Sequence, residues 1–310
     1  MCPTDRPARR LTLVALAVVA LAAPVAAQRP AVDMLSLLNV PFFPGDGGFS
    51  ARDIVLLFPP AGADVRLALT SPDGTVLHEV PFEVEPFDRF PVFADLDVNG
   101  RYGDRQDFAP GQPGPYTMSV TVDGEPVGSV SFTLAAEHSA DPFAPGTRWT
   151  AEGPWRTLAH LAQRTDHPDE SIGFGYWTSG EETGGRVADL SLSLRRDGVE
   201  VARSRSDFVI RDLGWRYFDD HELVHPGEGF NLAPFTAADL AAHDGRYSLV
   251  LLANDAPLKT YALTVEGGQI RPHPRSALDY EPRAGFLSPR LLKNDRGAPY
   301  TVDAWWAEAE

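Results

Sequence analysis

An internal repeat constrains the fold of this chain more than any other feature of its sequence. The segment GPYTMSVTVDGEPVGSVSFTL, residues 114–134, aligns without a gap with GRYSLVLLANDAPLKTYALTV, residues 245–265. Upstream, ADVRLALTSPDG from Ala63 aligns with ADLSLSLRRDG from Ala188 after one deletion. Self-similarity at a fixed spacing indicates that one structural unit occurs twice. The sequence therefore predicts two copies of one domain.

Both copies have the pattern of β-strands. VRLAL and LSLSL alternate apolar and polar residues with period two, and DG, NDAP and DGEP segments supply turns between such runs. A helical turn is predicted over TAADLAA, where Thr236 caps the first turn and Asp239 occupies the reciprocal position. Strands of this length in copies of about one hundred residues favour an all-β fold of two tandem sandwiches.

The segment AADLAAHDGRYSLVL resembles the E–F corner of immunoglobulin-like and fibronectin-III-like domains. The residues that carry the resemblance are Leu240, Asp244, Gly245 and Tyr247 in the second copy, and Gly114 and Tyr116 in the first. The resemblance implies that each tyrosine hydroxyl bonds to the chain a few residues upstream. The Cys…Trp…Cys core of antibody domains is missing, and a resemblance at the level of the fold implies a scaffold without implying an activity.

The predicted organisation follows from these boundaries and from the two ends of the chain. Residues 6–27 place arginines before an apolar run that ends in small residues, which is the pattern of a secretory signal peptide. The predicted segments are a signal peptide at 1–27, a first immunoglobulin-like sandwich at 28–138, a Pro/Gly-rich linker at 139–148, a second sandwich at 149–268 and a C-terminal extension with a candidate final strand at 269–310. We expect an exported protein, located in the periplasm, outside the cell or at its surface, and no integral membrane span.

The charge balance restricts the partners that such a protein can bind. The chain has 27 basic and 43 acidic residues, and its formal net charge is −16. Nucleic acids are bound through a basic surface that displaces counterions, so this composition argues against a nucleic-acid partner. The one cysteine lies in the predicted leader. The exported chain is therefore predicted to contain no disulfide.

One segment, HELVHPGEGF, matches the zinc-peptidase pattern H-E-x-x-H. In that interpretation His221 and His225 bind zinc from one face of a helix, and Glu222 activates the bound water. Pro226 follows directly and disfavours helix at the preceding residue. If the segment is extended instead, residues four apart are separated by about 13 Å along a strand, too far to share one ion. A zinc-dependent hydrolase is thus an alternative, and a solvated loop is the preferred interpretation.

A second segment, DLDVNG, has the spacing of a calcium loop. Asp95, Asp97 and Asn99 fit its first, third and fifth positions, and Arg101 would contribute a carbonyl at the seventh. Position twelve is Gln106 instead of the bidentate glutamate. Calcium is therefore a candidate cofactor, and the competing interpretation is a plain hairpin, for which Asn-Gly is a strong signal.

Aromatic residues supply a third hypothesis, because all six tryptophans follow the predicted linker. Exposed aromatic rings on a sandwich can stack on sugars, which makes Trp177, Trp215 and Tyr217 candidate ligand-binding residues. The competing interpretation places such strand residues in the core. From the sequence we expect a non-enzymatic binding or structural module whose partner is another envelope or surface protein or a glycan. A carbohydrate-binding module and the zinc hydrolase remain the alternatives.

Overall fold

The computed structural model has an all-β fold, as the sequence predicts. The structure describes residues 29–310 except 40–48, 52–53, 59, 88–89, 98–105, 109–111, 139–146, 165–166, 206, 212–213, 228–231, 278, 282, 288–289 and 296–297. Within these ranges the strands form several antiparallel sheets, an arrangement compatible with β-sandwich packing. Two short α-helices accompany the described strands, α1 (Met34–Asn39) and α2 (Ala237–Ala241).

The first sheet has eight described strands. In chain order they are β1 (Ala31–Val32), β3 (Ile54–Leu57), β4 (Val65–Thr70), β5 (Val76–Phe87), β6 (Phe90–Asp97), β8 (Gly114–Val122), β9 (Glu125–His138) and β10 (Thr147–Glu152). Their spatial order is β1-β3-β6-β5-β4-β8-β9-β10. A separate two-stranded sheet pairs β2 (Phe49–Ala51) with β7 (Gln106–Phe108).

The second sheet is larger and almost closes on itself. Its strands are β11 (Leu158–Arg164), β12 (Gly173–Ser179), β13 (Ala188–Arg196), β14 (Val199–Ser204), β15 (Phe208–Ile210), β16 (Trp215–Val224), β17 (Gly245–Ala253), β18 (Ala256–Glu266), β19 (Gln269–Ile270), β20 (Arg290–Asp295) and β21 (Ala298–Glu308). The order is β19-β18-β17-β13-β14-β16-β12-β11-β21-β20, and β15 pairs with β13. An antiparallel bridge between Tyr261 and Ala309 joins β18 to the end of β21 and makes the sheet nearly barrel-like.

The aligned segments of the two copies form hairpins with the same irregularities. The register shifts between Val120 and Thr121 in the β8–β9 pair, and between Leu251 and Leu252 in the β17–β18 pair. These positions coincide in the sequence alignment. The preceding hairpins shift at Leu69/Thr70 and at Leu194/Arg195, which also coincide. Since a bulge inserts one residue at a defined point, the shared positions indicate that both copies build these hairpins alike.

The turn between the last two strands of each copy is also fixed in the same way. Asp123 and Asn254 adopt left-handed φ angles of 51° and 48°. The side chain of Asp123 accepts the N–H of Asp64 at 2.9 Å, and that of Asn254 accepts the N–H of Asp189 at 3.0 Å. Asp and Asn tolerate this backbone region better than most residues, which explains why the turn sequences DG and ND serve the same purpose.

The two corner tyrosines form the upstream hydrogen bonds that the resemblance implies. Tyr247 Oη donates to the carbonyl of His243 at 2.8 Å and lies 3.3 Å from the carbonyl of Leu240. Tyr116 Oη donates to the carbonyl of Gln112 at 2.5 Å. Both tyrosines are buried. The helical prediction beside this corner is confirmed too, because Thr236 and Asp239 cap α2 reciprocally.

Replacing Tyr247 with phenylalanine is expected to lower the free energy of unfolding by about 1 kcal/mol, because the His243 carbonyl loses its donor inside the protein. Urea denaturation should show a lower midpoint with an unchanged slope. Tyr116→Phe is the matched variant in the first copy and should behave alike. Unchanged midpoints in both variants would show that the corner bonds add nothing to stability.

Two clusters of buried apolar residues form the cores. One lies inside the second sheet and includes Leu192, Leu249, Phe174 and Tyr261. The other contains the inner residues of the first sheet together with Trp155, Leu158, Trp177, Leu287 and Trp306. We call this second cluster the shared core, because strands of both copies and the C-terminal extension contribute to it. Helix α1, which the sequence analysis did not predict, adds Leu37 and Leu38.

One strand crosses the predicted boundary between the linker and the second sandwich and pairs with the first copy. Strand β10 begins at Thr147, inside the predicted linker, and continues past residue 149. It pairs with β9 of the first copy, Trp149 lying opposite Ala136. Trp155 follows in a 3-10 turn and is buried in the shared core. The first residues assigned to the second sandwich therefore extend the sheet of the first copy, because pairing with β9 satisfies their backbone groups.

The C-terminal extension, residues 269–310, which we call the strap, contacts both copies. Ala284 forms a parallel bridge with Ser129 of β9, and Phe286 packs with Ala31 and Leu57. The strap then returns to the second sheet, where β21 covers the segment for which the sequence predicts a last strand. β21 pairs with β11 over seven positions, from Leu158–Glu308 to Arg164–Val302. The strap thus holds the first copy and the second sheet together.

Candidate functional site

The structure brings together the three aromatic residues proposed to bind a ligand. Trp177 on β12 lies opposite Tyr217 on β16. Two positions further along the same strand pair, Ser179 lies opposite Trp215. The Trp177 and Tyr217 ring centroids are 4.8 Å apart. Trp177 is completely buried in the shared core, whereas Trp215 and Tyr217 are half-buried and pack against it. Trp177 therefore has the core position, and only Trp215 and Tyr217 keep accessible surface.

A lysine completes this aromatic group, and the sequence analysis did not select it. Lys259 Nζ lies 2.8 Å from the Glu182 carboxylate and donates to the Trp177 carbonyl at 3.0 Å. It also lies 4.9 Å from the Trp215 ring centroid, within the range of a cation–π contact. Its side chain is 9 % exposed and that of Glu182 is 18 % exposed. We call Lys259, Glu182, Trp177 and Trp215 the Lys259 centre.

The electrostatics of the Lys259 centre reflect competition between burial and pairing. Burial lowers the pKa of Lys259, and the Glu182 carboxylate opposes that change. Thr178 Oγ1 donates to Glu182 at 2.9 Å, which orients the carboxylate toward the amine. The exposed ion pair of Arg156 and Glu152 lies near enough to influence the same amine. The Lys259 amine, beside the half-buried Trp215 ring, is therefore influenced by Glu182 and by the Arg156–Glu152 pair.

Only weak signals in the sequence mark this centre. Lys259 is one of two lysines in the chain, the other being Lys293, and it lies within a strand pattern. Glu182 is one of two adjacent glutamates, Glu181 and Glu182, that belong to no recognisable motif. Lys259 lies in β18, whereas Glu182 lies in the turn that follows β12. The two residues are far apart along the chain, so no local sequence pattern joins them.

A buried histidine, His160, pairs with the half-buried Tyr217 beside the centre. His160 Nε2 lies 2.8 Å from Tyr217 Oη, and the His160 ring contacts the edge of Trp306 at a centroid distance of 5.4 Å. A Cβ atom at Gly175 would come within 2.4 Å of His160 Nε2 and 2.7 Å of Tyr217 Oη. Glycine at this position therefore lets the β12 backbone pass close to the pair.

The zinc-peptidase motif has the extended conformation. His221, Glu222, Leu223 and Val224 are the last residues of β16, and His221 lies opposite Phe174. The His221 ring is buried, stacks on Phe208 at 3.7 Å and lies 3.3 Å from Tyr176 Oη through Nε2. The helical face that the zinc alternative requires is therefore not formed. The preferred loop interpretation also needs correction over His221–Val224, which is strand, while His225 follows outside the strand.

The other two residues of the motif have different partners. Glu222 Oε2 lies 3.0 Å from Arg205 Nε on the surface. His225 Nε2 lies 3.5 Å from Asp239 Oδ2 beside α2. Burial of Asp239 raises its pKa. Hydrogen bonds from Thr236 and the nearby His225 outweigh this effect, so the pKa of Asp239 is lowered. Among the side chains that the structure describes, no three or more of His, Cys, Asp and Glu are grouped to hold a metal ion.

The candidate calcium loop is described only in part. Asp95 and Asp97 are in β6, opposite Glu85 and Glu83 of β5 respectively. Asn99 and Arg101 lie outside the described residues. Like charges at directly opposite positions destabilise a sheet unless something neutralises them. The predicted calcium site of Asp95, Asp97, Asn99 and Arg101 stays a prediction.

Comparison with known proteins supplies no family for this chain. A scan against protein-family models finds no match, and a search of curated proteins finds none either. In the described ranges no α-helix is both long enough and apolar enough to cross a membrane. The function proposed for this protein therefore rests on its own sequence and geometry.

Proposed function

We propose that this chain is an exported, non-enzymatic binding or structural module of two tandem immunoglobulin-like sandwich repeats, residues 28–138 and 149–268. The shared core is the observation that carries this proposal. One continuous cluster of buried residues, including Leu67, Phe132, Trp177 and Trp306, draws on both repeats and the strap. Such a core suits a scaffold that presents surfaces to a partner in a constant arrangement.

The chemically conspicuous side chains support a scaffold rather than catalysis. His221 and His160 are buried beside tyrosines, and Trp177 fills the shared core. The matching turns and corner tyrosines of the two copies support the assignment to an immunoglobulin-like class, in which the corner fixes the entry to a core strand. The partner that we propose is another protein of the envelope or surface.

A photo-crosslinking amino acid at Trp215, with a second variant at the exposed Val199 as control, tests this proposal in the full chain. We expect the leader to be removed after residue 27, the protein to leave the cytoplasm and a discrete crosslinked species to form from position 215 but not from 199. Retention of the intact chain in the cytoplasm would overturn export. Equal crosslinking from both positions would overturn a specific binding surface.

A glycan is the second candidate partner, favoured by the half-buried Trp215 and Tyr217 beside the charged Lys259 centre. Aromatic faces contribute stacking, and Glu182 and Lys259 offer an acceptor and a donor for hydroxyl groups. Titration of the full chain with neutral and acidic oligosaccharides, followed by tryptophan fluorescence, tests this alternative. Saturable binding that Trp215→Ala removes would support it, and an unchanged signal with every sugar would overturn it.

Calcium is the cofactor that we propose for the first repeat. If the ion joins Asp95 and Asp97 to neighbouring oxygen ligands, calcium at about one hundred times its dissociation constant adds about 2.7 kcal/mol to stability. The midpoint of thermal unfolding should then rise by about 5 °C or more. Magnesium should give a smaller shift, since it demands stricter geometry.

Matched variants give this experiment its contrast. Asp95→Asn and Asp97→Asn should remove the calcium-dependent shift, whereas Asp169→Asn, at an exposed position, should keep it. Equal midpoints of the unaltered protein with calcium and with chelator would overturn the proposed cofactor.

A further inference from the structure

The strap is fastened to its own last strand by three charged or titratable side chains. His273 precedes a 3-10 turn formed by Pro274–Ser276, and its Nδ1 accepts the N–H of Arg275 at 3.1 Å. The Arg275 guanidinium contacts the carboxylate of Glu308 on β21. His273 Nε2 lies 3.6 Å from the same carboxylate. We call His273, Arg275 and Glu308 the clasp.

The clasp connects the two ends of the strap. Arg275 accepts the N–H of Leu287 on its carbonyl at 2.9 Å, and Leu287 is buried in the shared core. Glu308 is the last residue of β21 and lies opposite Leu158 of β11. The clasp therefore joins the part of the strap that crosses the first repeat to the strand that fills the second sheet.

The hydrogen bonds of the clasp require a neutral His273 ring. A nitrogen that accepts an N–H has a free lone pair, so Nδ1 is unprotonated in this arrangement. Protonation of Nδ1 would make it an N–H donor that faces a second donor, the Arg275 N–H. It would also place a positively charged imidazolium beside the Arg275 guanidinium. Glu308 would attract that imidazolium, but its carboxylate already pairs with Arg275.

We propose that the clasp is an acid-sensitive latch on β21, closed while His273 is neutral and loosened when the ring is protonated. This proposal concerns how firmly β21 is bound to the rest of the chain, and it does not depend on the proposed partner. The groups that face the ring are Glu308, which favours protonation, and Arg275, which opposes it together with burial.

The direction of the pH dependence follows from the environment of the ring. Burial lowers the pKa of His273, Glu308 opposes this change and Arg275 adds to it. A histidine whose pKa is lower in the folded state stabilises that state fully above its ordinary value of about 6.5. The contribution is lost as the pH falls through that value toward the lower folded pKa. Acid should therefore loosen the clasp.

Amide hydrogen exchange on the full chain tests the latch. We expect the protection of β21, corrected for intrinsic exchange, to fall by about tenfold between about pH 7.5 and about pH 5, relative to β17 of the same molecule. His273→Asn is the matched variant, because its side-chain oxygen can still accept the Arg275 N–H but does not titrate. In that variant the hydrogen-exchange protection of β21 should change with pH by the same factor as that of β17.

Three outcomes would overturn the latch. Equal protection of β21 in the unaltered protein at both pH values would show that protonation has no effect on the strand. A rise in protection at the lower pH would show that pairing with Glu308 governs the ring. An equal loss in His273→Asn and in the unaltered protein would assign the pH effect to other groups. His273→Ser, a second non-titrating cap, guards against a variant that fails to fold.

Discussion

Replacing Trp306 with alanine is expected to lower the free energy of unfolding by about 3–5 kcal/mol. Trp306 is 3 % exposed, lies in the shared core and contacts the His160 ring. It belongs to β21, which pairs with β11 near the end of the chain. Alanine would leave a large cavity between the second sheet and the first repeat. Because domains are typically stable by only 5–15 kcal/mol, a loss of about this size removes a large share of the total.

The measurement is urea denaturation followed by circular dichroism, with Trp306→Phe as the matched control. Phenylalanine keeps an aromatic ring in the same space, so it should recover about half of the loss or more. A loss below about 1 kcal/mol in Trp306→Ala would show that the strand contributes little to stability. It would also contradict the view that the strap holds the two repeats together.

The hairpins and corners of this fold could be predicted from the sequence because their determinants are local. Period-two alternation fixes which strand residues are buried, and the aligned turns at Asp123 and Asn254 carry residues that tolerate left-handed backbone. The tyrosine corner likewise depends on a contact only four residues long between Tyr247 and His243. These features need no knowledge of the rest of the chain.

The pairing of distant segments could not be predicted in the same way. β21 pairs with β11 across a separation of more than one hundred residues. Alternation within a strand shows that it has a buried face but does not identify the neighbour that covers it. The shared core joins residues that are distant in the sequence, so alternation within single strands does not predict it.

The candidate sites show how a motif depends on the element that carries it. H-E-x-x-H brings its histidines together only on a helix. Here β16 buries His221 and ends at Val224, and His225 follows beside Asp239. The Lys259 centre shows the opposite case, since residues far apart in sequence meet without any motif. Asp95 and Asp97, which the loop pattern places at the start of a calcium loop, are likewise in strand β6.

Replacing Glu182 with alanine is the second change from which we expect a large effect, a loss of about 3 kcal/mol in the free energy of unfolding. The variant leaves the Lys259 ammonium 9 % exposed without its carboxylate, although the Trp177 carbonyl and the Trp215 ring remain. An uncompensated charge in such a place costs more than the pair itself contributes, because the desolvation is no longer offset.

A double-mutant cycle separates the pairing of Glu182 with Lys259 from the packing of either side chain. Lys259→Met keeps most of the apolar length of the side chain and removes the charge, so Glu182→Ala combined with Lys259→Met should be more stable than Glu182→Ala alone. We expect a coupling energy of about 2 kcal/mol from urea denaturation of the four proteins. Additive losses would mean that the contact seen between the two groups does not stabilise the fold. The coupling should persist in high salt, because screening weakens exposed pairs far more than buried ones.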